Sequence, residues 1–76
     1  MRDPQTKEQK YLIDAIIADL ALFLVEDNAM TVNDALNTVY NSNYYNLLNN
    51  IDTELYLRSS LNNYHYLRRE LVIART

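Results

Sequence analysis

Residues 6–28, TKEQKYLIDAIIADLALFLVEDN, decide the fold. Apolar side chains recur there at three- and four-residue spacing, the period of one helix face. At about 100° per residue, Leu12, Ile13, Ile16, Ile17, Leu20, Ala21, Phe23 and Leu24 cover close to half the circumference. That arc is the natural seat for the rest of the chain. Thr6 and Gln9 match a capping box, and Pro4 suits a first-turn position, so the helix opens at Asp3-Pro4 or at Thr6. It runs to about Glu26, with Asp27-Asn28 as the stop.

The same helix carries a second apolar strip, Tyr11, Ala15, Ala18, Leu22 and Val25. Glu8, Asp19 and Glu26 form one charged flank, and Lys7, Lys10 and Asp14 mark the other. A surface helix that serves one core is polar on that side. The three shorter helices expected downstream are too few to surround it, so the strip points to contact with another chain, a homodimer above all. Ala15 and Ala18 permit approach of a second helix at roughly 8 Å. In an antiparallel self-pairing, Lys7 and Lys10 approach acids such as Glu26 of the other chain. The alternative is that the strip packs beneath the protein's own C-terminal helix.

Downstream, the punctuation is also helical. The chain has no glycine and one proline, whereas tight strand hairpins draw on glycine. Asparagine, which tolerates a left-handed helix end, clusters at the expected breaks: Asn28, Asn41, Asn43, Asn49 and Asn50. Thr31 caps a second helix with Val32, Ala35, Leu36 and Val39 inward. It ends near Tyr40. Ser42 or Asn43 caps a short third helix to about Leu48, with Tyr44, Leu47 and Leu48 inward. Segment 51–58, IDTELYLR, reads equally as a short helix or an extended piece. Ser59 or Ser60 caps a last helix to about Ile73, with Leu61, Tyr64, Leu67, Leu71 and Ala74 on its buried face. The fold class expected is all-α: one domain, residues 1–76, a bundle of three to four helices with one long N-terminal helix.

At 76 residues, a core of this kind supplies no more than roughly 3–5 kcal/mol by itself. Cysteine is absent, which excludes disulfides and thiolate zinc sites, and the single histidine, His65, excludes an imidazole-rich metal site. Oligomerisation is the remaining device. The polar first ten residues contain no signal-peptide core, and Leu20 to Val25 is far short of the roughly 20 apolar residues that span a bilayer. A cytoplasmic protein without membrane contact is expected.

No constellation for catalysis emerges, and no cofactor is implied. Asp14 and Asp19, five residues apart on a helix, diverge by about 140°, so they are flanking charges and not an acid–base pair. The Glu26-Asp27-Asn28 and Asn33-Asp34 corner lacks the glycine and ligand spacing of a calcium loop. Ser60 and His65 fall on different sides of one helix. Phosphate-binding glycine loops are absent. An enzyme is not expected.

Net charge is −3, unevenly placed: residues 1–50 carry three Lys/Arg against seven acids, and residues 51–76 four Arg against three acids. An acidic chain is disfavoured on nucleic acid. Tyr66, Arg68, Arg69 and Arg75 of the last helix nevertheless have the residue types of a stacking-and-phosphate surface. A small DNA-binding regulator is therefore the alternative function, although Glu70 dilutes that charge. Tyrosine and arginine are equally the residues enriched in protein interfaces.

The runs DAIIADLALFLVEDNAMTVNDALNTVYNSNYYNLL (14–48), TELYLRSS (53–60) and YLRREL (66–71) resemble a family of small uncharacterised all-helical proteins of gut bacteria. Genes of that family sometimes lie beside genes for ADP-ribosyltransferase-like toxins. The resemblance covers most of the chain, rests on pattern, and carries no catalytic residues. It implies an antitoxin-like or mobile-element accessory role with a protein partner. The family has glycine in the Thr-x-Leu-Tyr segment, where this chain has Glu54.

Overall fold

A computed structural model describes residues 3–74. The order of elements is α1 (Lys7–Asn28), α2 (Val32–Tyr40), α3 (Asn43–Asn49), two 3-10 turns (Ile51–Thr53 and Leu55–Leu57) and α4 (Ser60–Ala74). Among the described residues there is no strand, and the expected all-α bundle with a long first helix is what forms. The side chain of Ala74, and Arg75, lie outside the described residues.

Each helix begins where a short polar side chain offers an acceptor to free amides. Thr6 Oγ1 accepts from the Gln9 amide at 3.0 Å while the Gln9 side chain accepts from the Thr6 amide, closing the capping box. Thr31 Oγ1 accepts from Asp34 at 3.1 Å, Ser42 Oγ from Tyr45 at 3.2 Å, and Ser59 Oγ from Asn62 at 3.1 Å. Helix ends depart from expectation. The left-handed residues are Ala29 (φ 53°) and Glu54 (φ 58°), while Asn41 and Asn50 end their helices in right-handed and extended conformations.

Helices α2 and α4 and the second 3-10 turn pack on the inner arc of α1. Ile13, Ile16, Ile17, Leu20, Ala21 and Leu24 are buried there with Ala35, Val39, Leu48 and Leu67. Leu12 and Phe23, read as core residues, are only half-buried. Segment 51–58 is neither an α-helix nor extended; its two 3-10 turns drive Ile51 and Leu55 inward.

Three residues read as inward point out: Val32, Leu47 and Leu61, the last 56 % exposed. For Leu61 the cause is polar. Asn63 is fully buried, its Nδ2 donating to the carbonyls of Leu55 and Ser59 at 3.0 Å each, and its Oδ1 accepting from the Tyr44 hydroxyl. The buried face of α4 therefore centres on Asn63, Tyr64 and Leu67, and Leu61 turns away. In α3, Tyr44 and Leu48 fill the inner face, leaving Leu47 outside. Val32 is the first residue of α2, ahead of its inward-facing Ala35 and Val39.

Candidate protein interface

The strip Tyr11, Ala15, Ala18, Leu22 lies on the side of α1 opposite the core, and none of it packs beneath α4. Tyr11 is 71 % and Leu22 55 % exposed; Ala15 and Ala18 are exposed, and Val25 is half-buried against the core cluster. The acids Glu8, Asp14, Asp19 and Glu26 beside it are exposed as well.

Along one flank a groove runs between α1 and the end of the 3-10 segment, lined by Leu12, Ala15 and Ile16 on one wall and Tyr56, Leu57 and Arg58 on the other. Leu57 is 63 % exposed at its edge. This residue escaped sequence reading because a 3-10 turn of three residues has no period to read. Asp19 on the same flank accepts from Ser60 Oγ at 2.6 Å, which ties α4 to α1. That bond also commits the Ser60 hydroxyl away from His65.

The outer face of α4 is the second surface. Tyr66, Arg68 and Arg69 are exposed, with His65, Leu61, Val72 and Ile73 around them. Arg68 is not wholly free to reach a ligand: its guanidinium lies 5.8 Å from the Tyr64 ring centre, a cation–π distance. The Tyr64 hydroxyl in turn donates to Asp27 Oδ2 at 2.7 Å. Burial, then that hydrogen bond and the Asp27 charge, push the Tyr64 phenol above its ordinary range. Asp27 thus holds α4 to the end of α1 and is more than a solvated corner charge.

Glu70 does not dilute the basic outer face as expected. Its two carboxylate oxygens accept from the amides of Asn43 and Tyr44 at 2.8 and 2.7 Å. The side chain is half-buried against the start of α3, because a helix N-terminus leaves amides that favour an anion.

Among the described residues no group of three His, Cys, Asp or Glu side chains is placed to hold a metal ion, and no helix is long and apolar enough to cross a membrane. Compared with known proteins, the chain matches no family model, no curated protein and no solved structure.

Proposed function

We propose that the protein is a non-catalytic interaction module of the cytoplasm that works as a homodimer through the outer strip of α1. The observation that carries this reading is the exposure of Tyr11, Ala15, Ala18 and Leu22 as one row on the back of a 22-residue helix. Fully burying a leucine-sized side chain stabilises by about 1.5–3 kcal/mol, a large gain for a chain whose own core is small. Ala15 and Ala18 let two helices approach closely at the centre of the row. The family resemblance adds a role: an antitoxin-like or mobile-element accessory protein whose dimer meets a protein partner.

Light scattering tests it. The unaltered chain is expected to have twice the mass of one chain, and Ala18→Arg is expected to have the mass of one chain with its helical circular dichroism retained. A monomer in both cases would remove the reading.

The withdrawal of Glu70 into the α3 cap favours a second reading, a nucleic-acid contact through Tyr66, Arg68 and Arg69 on α4, with Arg75 beyond the described residues. Electrostatic contacts are strongest at low salt, so a DNA titration at about 50 mM salt decides it. No binding there excludes it.

A further inference from the structure

We draw no further inference here: the strongest candidate, the apolar groove between α1 and the second 3-10 turn, walled by Leu12, Ile16, Tyr56 and Leu57 and edged by Arg58, is an unpartnered surface, and nothing in the structure shows what covers it.

Discussion

The phenolic hydroxyl of Tyr44 donates to the side-chain oxygen of Asn63, and neither residue has more than 2 % of its surface exposed. The bond joins α3 to α4, and the Asn63 amide carries it on to the carbonyls of Leu55 and Ser59. One asparagine thus satisfies the end of the 3-10 segment, the start of α4 and a buried tyrosine. Removing one partner of a buried bond costs about 1–3 kcal/mol for each group left unpaired. Asn63→Ala orphans the Tyr44 hydroxyl, leaves a gap in the buried face and takes one of two bonds from the carbonyls of Leu55 and Ser59, which keep the backbone amides of Arg58 and of residue 63, so it is expected to cost more than loss of the Tyr44 bond alone, about 2–4 kcal/mol. Tyr44→Phe orphans only one acceptor and is expected to cost about 1–3 kcal/mol. Urea unfolding of both variants checks the order; equal losses would show that the carbonyl bonds contribute nothing.

The same pair makes stability depend on alkaline pH. Burial, and secondarily the charge of Tyr66, push the Tyr44 phenol well above its ordinary value of 10.0. Tyr64 is raised in the same direction. Above pH 10 the unfolded chain releases these protons while the folded chain keeps them. Stability is therefore full below that pH and lost as pH rises through the alkaline range. Urea midpoints are expected to be flat between about pH 7 and 9 and to fall beyond 10. Tyr44→Phe, weaker at neutral pH, is expected to show a shallower alkaline decline. An identical slope in the variant would remove Tyr44 as a source.

Two residues with side chains occupy backbone conformations that suit glycine. A left-handed conformation costs a residue with a Cβ roughly 1–2 kcal/mol, and Ala29 and Glu54 both adopt it in a chain with no glycine. Glu54 links the two 3-10 turns and has no side-chain capping bond there. Glu54→Gly and Ala29→Gly are each expected to raise stability by about 0.5–1 kcal/mol, the relief exceeding the added freedom of the unfolded chain. The same change at Asn46, inside α3, is expected to destabilise by a similar amount. Thermal unfolding of the three variants separates these cases.

Elements announced by local chemistry were legible in the sequence. Thr6, Thr31, Ser42 and Ser59 each cap the helix that their hydroxyl suggests, because an N-cap bond spans only three residues. The long apolar arc of α1 set the fold class, and its outer strip was found where the helical period puts it. Features that depend on partners far along the chain were not legible. Asparagine is ordinarily a surface or turn residue, so nothing local marks Asn63 as the centre of a buried face; once it is, Leu61 must turn out. Asn28 and Asn41 look like better left-handed caps than Ala29 and Glu54 do. The path of the chain between packed helices decided otherwise. Tertiary geometry outweighed the residue preference.

Glu70 is the clearest case of a long-range partner, and its removal is the sharpest test of how α3 is held. Helix α3 has seven residues, too short to persist without tertiary support. Its first three amides are all engaged: Asn43 and Tyr44 by Glu70, and Tyr45 by Ser42 Oγ. An anionic acceptor at a helix N-terminus gains from the charge-assisted bonds and from the helix dipole. Glu70→Ala is expected to cost about 2 kcal/mol, the upper end for loss of a cap. Glu70→Gln keeps one acceptor, loses the charge, and is expected to fall between that variant and the unaltered chain. Hydrogen exchange locates the effect: the amides of Asn43 and Tyr44 are expected to lose protection in both variants, while those of Ile16 and Leu20 in α1 change only with global stability. Unchanged protection at Asn43 and Tyr44 would mean that α3 is held by Ser42 and packing alone, and that the carboxylate of Glu70 is a surface charge after all.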